Sequence, residues 1–160
     1  MTATMDISIE TGIDIADEYV TVRIAGQLFG LMISKVQDVF VPETITEVPL
    51  THPEIAGVLN LRGRIVTAID MRRRLSLPDR DRTEQFMAVG NEFGGESYGL
   101  IIDSVGEVLR FSDSTIENNP SNLDPRWDTI SAGVQRLDGE LMVILDVDRV
   151  LEGHEAIQPV

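Results

Sequence analysis

An internal repeat constrains this 160-residue chain more than any other feature of its sequence. Residues 29–40 match residues 98–109 at five of twelve positions, with an offset of 69. Residues 56–75 match residues 132–151 at eight further positions, with an offset of 76. The order of the two blocks is kept, and a loop insertion near residues 118–126 accounts for the difference between the offsets. The chain therefore contains two copies of one unit.

The repeat also divides the chain into segments. The first repeat covers about residues 19–77 and the second about residues 85–151, and the polar residues 78–84 form the linker between them. Residues 1–18 carry five acidic and no basic side chains, which predicts a flexible acidic N-terminal tail. Residues 152–160 are expected to form a C-terminal tail.

Each unit has the hydrophobic pattern of β-strands. Apolar residues alternate with polar ones over residues 20–24 before a turn at Gly26, which is typical of a β-hairpin. A later hairpin turns at Gly63 in the first unit and at Gly139 in the second, and a short helical pattern follows each. A unit of about five strands is too short for a two-sheet sandwich, so it should close into a small barrel. We predict an all-β fold with short helices, in which two five-stranded barrels share a core.

The composition excludes several classes of function. The chain has 13 Lys and Arg against 27 Asp and Glu, and this net charge of −14 repels nucleic acid and anionic lipid headgroups. It has no cysteine, which excludes thiolate nucleophiles and cysteine-ligated metals. No apolar stretch is long enough for direct membrane insertion. A cytoplasmic protein is the default expectation.

Two aspartates at equivalent repeat positions leave an enzymatic alternative open. Asp70 and Asp146 would form a catalytic dyad if a pseudo-twofold axis brought them together, as in a small duplicated aspartate-dependent hydrolase. If each instead caps the helix that follows it, neither needs a partner. The two histidines, His52 and His154, lack a second ligand at metal spacing, and the only lysine, Lys35, lies in no phosphate-binding loop. We predict helix caps, with no catalytic residue, no metal and no cofactor.

Two other features favour structural roles. The basic run Arg72-Arg73-Arg74 predicts a solvated helix face in so acidic a chain. Trp127 follows the inserted loop of the second unit and predicts a lid over local core rather than a ligand platform.

Over roughly residues 18–151, the chain resembles the CheW family of bacterial chemotaxis coupling proteins. The motifs that carry the resemblance are Phe29-Gly30, Lys35-Val36-Gln37-Asp38-Val39, Ile55-Ala56-Gly57-Val58-Leu59-Asn60-Leu61-Arg62-Gly63, Ile65-Val66, Ile69-Asp70-Met71-Arg72, Gly99-Leu100 and Asp103-Ser104-Val105. The Asn-Leu-Arg-Gly block in this order and spacing is the most specific of them.

The resemblance implies that the barrels are SH3-like and that the protein is a non-enzymatic adaptor. Such an adaptor couples the cytoplasmic tips of methyl-accepting chemoreceptors to the regulatory domain of the histidine kinase CheA, in arrays at the inner membrane. A CheW-like adaptor of a non-flagellar chemosensory pathway is an alternative that the sequence leaves open.

Two sets of residues are expected to contact these partners. A receptor hairpin is expected to lie in a groove between the barrels, with the candidates Ile33, Val36, Gly57, Arg62, Val105 and Val108. The kinase is expected to cover an apolar barrel end formed by Asp38, Val39, Phe40, Val41, Glu43 and Ile45. For Arg62, the residues alone leave a structural role and a partner contact equally open.

Overall fold

The computed structural model describes residues 16–49 and 52–152. Its strands are β1 (Ala16–Ile24), β2 (Gln27–Met32), β3 (Asp38–Phe40), β4 (Ile55–Leu61), β5 (Arg64–Asp70), β6 (Met87–Phe93), β7 (Glu96–Ile102), β8 (Ser104–Ser112), β9 (Ser131–Leu137) and β10 (Glu140–Leu145). The short helices are α1 (Met71–Arg74), α2 (Pro125–Asp128) and α3 (Val147–Leu151), and single 3₁₀ turns span Ile33–Lys35 and Asp113–Thr115.

The strands form two five-stranded sheets, and each sheet takes strands from both repeats. One sheet, barrel A, has the order β8-β1-β2-β10-β9, and the other, barrel B, has the order β3-β6-β7-β5-β4. Isolated bridges between Glu117 and Val134 in barrel A, and between Thr46 and Val58 in barrel B, join the segments that follow β8 and β3 to the far edge strands. The prediction of an all-β fold with two five-stranded units is confirmed, although neither barrel is built from one repeat alone.

The repeat symmetry is visible in the pairing of the central strands. Gly30 in β2 lies opposite Ile144 in the parallel strand β10, and Gly99 in β7 lies opposite Ala68 in the parallel strand β5. These positions are related by the same offsets of 69 and 76 that relate the repeats. A Cβ atom on Gly30 would come within 2.9 Å of the Met142 side chain, and one on Gly99 within 3.3 Å of the Val66 side chain. Val66 and Met142 are also repeat equivalents, so both glycines are needed for the same close approach inside a barrel.

The two barrels share one hydrophobic core, as predicted. It contains buried residues from both sheets and from the helices, among them Phe29, Leu31, Ile69, Tyr98, Leu100, Val143, Leu145 and Leu151. Each barrel also has a smaller interior cluster of its own. Trp127 packs edge-on against Phe29 at 5.3 Å between ring centroids and donates a hydrogen bond to the Leu75 carbonyl at 2.8 Å. The interpretation of Trp127 as a lid over core is therefore confirmed.

The first strand begins at Ala16, so the last three residues of the segment predicted as a tail belong to β1. Ala16, Asp17 and Glu18 pair with the C-terminal end of β8, which extends the sheet beyond the alternating residues that the sequence pattern identified. Residues 1–15 and 153–160 lie outside the described residues, and so do the remaining predictions on the two tails.

A largely buried cluster of charged side chains joins the linker between the repeats to both barrels through hydrogen bonds and ion pairs. Asp103, between β7 and β8, accepts hydrogen bonds from Arg72 Nη2 at 2.6 Å, Arg80 Nη2 at 2.8 Å and the Ala25 backbone N–H at 2.8 Å. Arg72 also donates to the Pro78 carbonyl at 3.2 Å. The cluster therefore joins the end of β5, the linker and the β1–β2 turn at one carboxylate.

The prediction of a solvated arginine run is wrong for Arg72. The side chain of Arg72 is 8% exposed, because the linker folds back over it and Asp103 neutralises its charge. Arg73, one residue further along α1, is exposed as expected and faces Asp70 and Asp79.

Asp103 makes this cluster sensitive to acid. Burial alone would raise the pKa of the Asp103 carboxyl, but the hydrogen bonds from Arg72, Arg80 and the Ala25 N–H outweigh burial and hold the pKa below its ordinary value. The stabilisation is therefore present above the unfolded-state pKa of about 4, and it is lost as the pH falls through the lower pKa of the folded state.

We expect Asp103→Asn to lower the free energy of unfolding at pH 7 by about 2 to 3 kcal/mol, because two guanidinium groups lose their charged partner in a site with little solvent. Urea denaturation at pH 7 and at pH 3 measures the effect, and the difference between parent and variant should shrink at the lower pH. Asp79→Asn is the matched control, since it removes an exposed carboxylate 3.5 Å from Arg73. Equal losses in both variants would contradict a special role for Asp103.

Candidate functional site

The two repeat-related aspartates are helix caps. Asp70 accepts hydrogen bonds from the backbone N–H groups of Arg72 and Arg73, and Asp146 accepts one from that of Arg149. They line different surface grooves, Asp70 one with Arg73 and Asp146 another with Lys35. This arrangement matches the predicted caps, and it does not bring the two carboxylates together as the hydrolase alternative requires.

Within residues 16–49 and 52–152, no three His, Asp or Glu side chains form a group that could hold a metal ion. His52 is exposed at the start of the segment that leads into β4, and His154 lies outside the described residues.

The predicted kinase-binding set divides between two faces of strand β3. Val39 is 38% exposed and Val41, just beyond the strand, is 66% exposed. Phe40 and Ile45 instead pack against the interior cluster of barrel B. This division follows from the strand period, since successive side chains point to opposite faces.

Asp38, Arg62 and Glu43 lie near the outer end of barrel B. Asp38 Oδ2 accepts a hydrogen bond from Arg62 Nη1 at 3.4 Å, and Arg62 occupies the β4–β5 turn with a φ of +51°. The Asp38 carboxylate reaches this position across Gly90, where a Cβ atom would lie 2.2 Å from Asp38 Oδ1. Sequence reasoning missed the steric constraint at Gly90, because this constraint comes from a neighbouring strand.

Arg62 and Glu43 line one open groove of about 440 Å³. We call it the β3 surface and define it by Phe40, Val41, Pro42, Glu43, Asn60, Leu61 and Arg62. Arg62 was predicted to contact the receptor, but the structure places it among the residues predicted for the kinase. The β3 surface thus combines an exposed valine with charges of both signs.

A second surface, which we call the valine rim, is formed by four valines on and beside the edge strands. Val36, Val105 and Val108 come from the set predicted for the receptor, and Val39 comes from the set predicted for the kinase. Val105 and Val108 lie opposite Val22 and Val20 in β1, and Val39 lies opposite Val89 in β6. Opposite residues of an antiparallel pair share one face of the sheet. The partners in β1 and β6 belong to the shared core, so the valine rim continues that core to the surface.

The two walls of the valine rim come from different barrels. Val41 and Pro42, after β3, line one groove with Asp103 and Ser104, where β8 begins. At the other end, Lys35 before β3 lines a groove with Asp113, just after β8. Strands β3 and β8 therefore lie on the two sides of one gap between the barrels, and their chain directions are opposite. Val36 and Val105 pack on the shared core, whereas Val108 is 49% exposed.

The turn at Ile33–Lys35, which we call the crossover turn, carries the chain from β2 in barrel A to β3 in barrel B. Ile33 is exposed at 39%, and Lys35 Nζ lies 3.1 Å from Asp148 Oδ2 in α3. Ile33 thus lies beside the valine rim, in the region predicted for receptor contact.

Gly57, the remaining residue of the predicted receptor set, is buried. Its φ is +146°, and a Cβ atom would lie 2.1 Å from the Thr46 carbonyl oxygen. Its repeat equivalent, Gly133, has the same φ and faces the Glu117 carbonyl. Glycine is therefore needed at position 57 because the chain at Thr46 comes close to it where barrel B closes. Gly57 presents no side chain to a partner.

No helix in the described part of the chain is long and apolar enough to cross a membrane.

Comparison with known proteins relates the chain to one family. The family model of the CheW-like domain matches residues 18–155. The chain is 26% identical to the chemotaxis protein CheW of Bacillus subtilis over 92% of both chains, and 26% identical to that of Thermotoga maritima over 84% of this chain and 87% of the other. The crystal structure of the scaffolding protein TtCheW from Thermoanaerobacter tengcongensis superposes with a TM-score of 0.76 at 28% identity, covering 86% of this chain and 94% of that one.

The geometry of Gly57 predicts a large stability effect. Gly57→Ala should lower the free energy of unfolding by about 3 kcal/mol or more, because the methyl group meets backbone and the φ is unfavourable for alanine. Gly63→Ala is the control, since Gly63 has a φ of +83° but no atom within 4 Å of the added methyl. Thermal denaturation compares them, and an equal loss in both would show that conformation rather than crowding determines the cost.

Proposed function

Because the chain belongs to the CheW family, we propose that it is a chemotaxis adaptor that binds a chemoreceptor tip and a CheA-type histidine kinase at separate surfaces. The observation that carries this proposal is the presence of two apolar surfaces on one shared core, the valine rim and the β3 surface, which adjoin at strand β3. In this role the protein catalyses no reaction. It acts in the cytoplasm, recruited to receptor arrays at the inner membrane.

The valine rim has the character expected of a receptor site. A coiled-coil hairpin presents apolar side chains at helical spacing, and such a helix binds in a groove with apolar walls. The walls here are the edge strands β3 and β8, which stand on different barrels, so a helix lying between them would contact both. Ile33 and Lys35 on the crossover turn stand at one end of this groove. The shared core beneath the valines keeps the walls in place.

The β3 surface has the character expected of a kinase site. Val41 supplies an exposed apolar centre, and Glu43, Asp38 and Arg62 supply charges around it. An apolar centre with a charged rim is the usual anatomy of a specific protein interface. The regulatory domain of CheA is built on a similar fold, so its barrel end could cover this one in a pseudo-symmetric way. We assign Arg62 to this surface because it pairs with Asp38.

We expect Val108→Asp to weaken binding of a soluble receptor tip fragment at least tenfold, because it places a charge without a partner in the apolar groove. Val36→Asp should have the same direction of effect. Ile65→Asp is the matched control, since Ile65 is 64% exposed on β5, which pairs with β4 and β7 and lies outside the valine rim. Isothermal titration measures the affinities, and normal receptor binding by a folded Val108→Asp variant would exclude the valine rim as the receptor site.

For the kinase, we expect Val41→Asp to weaken binding of the isolated CheA regulatory domain at least tenfold while Val108→Asp leaves it unchanged. Glu43→Ala should mainly change the salt dependence of binding, since a rim charge steers association. Phe40→Ala is a less informative test of kinase binding. Phe40 packs against the interior cluster of barrel B, so its truncation should also lower the stability of the protein. If Val41→Asp binds the kinase like the parent, the kinase contacts another surface.

A further inference from the structure

A fully buried amide interrupts the apolar lining of the shared core. Asn91 in β6 is fully buried, on the same face of the strand as the core residues Val89 and Phe93. The repeat offset of 69 places Val22 at the equivalent position in β1, and Val22 belongs to the same core. The two hairpins have the same register, since Ile24 pairs with Gln27 and Phe93 with Glu96. One repeat thus has valine where the other has an amide.

The amide of Asn91 holds the crossover turn. Asn91 Nδ2 donates to the Lys35 carbonyl at 2.6 Å, while its Oδ1 finds no hydrogen-bond partner among the described residues. The preceding residue in β6, Gly90, accepts a hydrogen bond from the Gln37 N–H through its carbonyl oxygen at 2.8 Å. Strand β6 therefore forms hydrogen bonds with residues 35 and 37, on both sides of Val36.

The second crossover, between β7 and β8, is held in a different way. There the Asp103 N–H donates to the Arg23 carbonyl at 3.0 Å, and the Asp103 side chain accepts the Ala25 N–H. That crossover has no 3₁₀ turn, because β8 begins one residue after Asp103. A buried amide is thus required only where the chain makes the additional turn before β3.

Burying an amide with one unpaired oxygen costs free energy that a valine would not. Since valine fits the equivalent site, packing alone does not explain the asparagine. We propose that Asn91 is a positioning residue for the receptor site: it fixes the Lys35 carbonyl and so holds Val36 and Ile33 in the orientation that the groove requires. This inference rests on the proposed function, since it acts through the receptor-binding side of the adaptor.

The experiment compares two variants in the full-length protein. Asn91→Val introduces the residue that the other repeat has. Gln135→Leu is the matched control, because Gln135 is also a buried amide and its repeat equivalent is Leu59, but its side chain interacts with Thr115 and the Arg136 carbonyl, away from the crossover turn. Two measurements are made on each variant: amide hydrogen exchange at Val36 and Gln37, and affinities for the receptor tip fragment and the kinase domain.

For Asn91→Val we expect faster exchange at Val36 and Gln37, a roughly fivefold loss of receptor affinity, and unchanged kinase affinity. Gln135→Leu should change neither exchange at these residues nor receptor affinity. If Asn91→Val does not fold, Asn91→Leu replaces it, since leucine has nearly the shape of asparagine without its donor.

Several results would overturn the inference. Normal exchange at Val36 and Gln37 would show that the amide does not position the turn. Faster exchange with normal receptor affinity would show that the turn does not matter for binding. Equal losses of receptor and kinase affinity would indicate a general effect on stability. If the parent itself fails to bind the receptor fragment, the proposed function fails, whereas the exchange measurement still decides whether Asn91 holds the turn.

Discussion

The exchange of strands between the two repeats is the constraint on which the rest of this structure depends. The parallel pairs β2–β10 and β5–β7 join strands from opposite halves of the chain. Since each barrel needs strands from both repeats, neither repeat can complete a sheet by itself. The outer faces of these central strands then form the shared core, which includes Phe29 and Tyr98 at equivalent positions. Backbone hydrogen bonds between strands of the two repeats, together with the shared apolar core, therefore hold the two barrels in one relative orientation.

This constraint also determines where the valine rim and the β3 surface lie. The chain must pass between barrels after β2 and again after β7, and the strand reached each time, β3 or β8, becomes an edge strand. Both edge strands therefore border the shared core, and the side chains on their core-facing side emerge at its margin. Val39 and Val108 lie there because their strand positions face Val89 and Val20. A groove with apolar walls is thus a direct consequence of the topology, without any element added for binding.

Sequence reasoning predicted the elements that depend on local pattern, and it failed where distant segments meet. The repeat, the hairpin turns, the capping role of Asp70 and the lid at Trp127 could be predicted because short spacings specify them. The exposure of Val39 against the burial of Phe40 depends on which face of β3 meets barrel B, and three residues are too few to define that face. The burial of Arg72 depends on the linker folding back to Asp103, an interaction over 31 residues. The crowding at Gly57 likewise comes from Thr46 across a bridge that no local pattern encodes.

The departures from repeat symmetry explain how a duplicated scaffold can present two different surfaces. A perfectly symmetric pair of barrels would have two identical ends and two identical crossovers, and it would bind the same partner twice. Here the first crossover includes a 3₁₀ turn before a three-residue edge strand, whereas the second passes directly into a nine-residue strand. The residues that stabilise the two crossovers differ accordingly, with Asn91 at one and Asp103 at the other. Asn91 is fully buried and Asp103 is partly buried, and the other repeat has Val22 and Ser34 at the equivalent positions. The two crossovers are therefore held by different polar contacts, while the apolar positions around them retain the common fold.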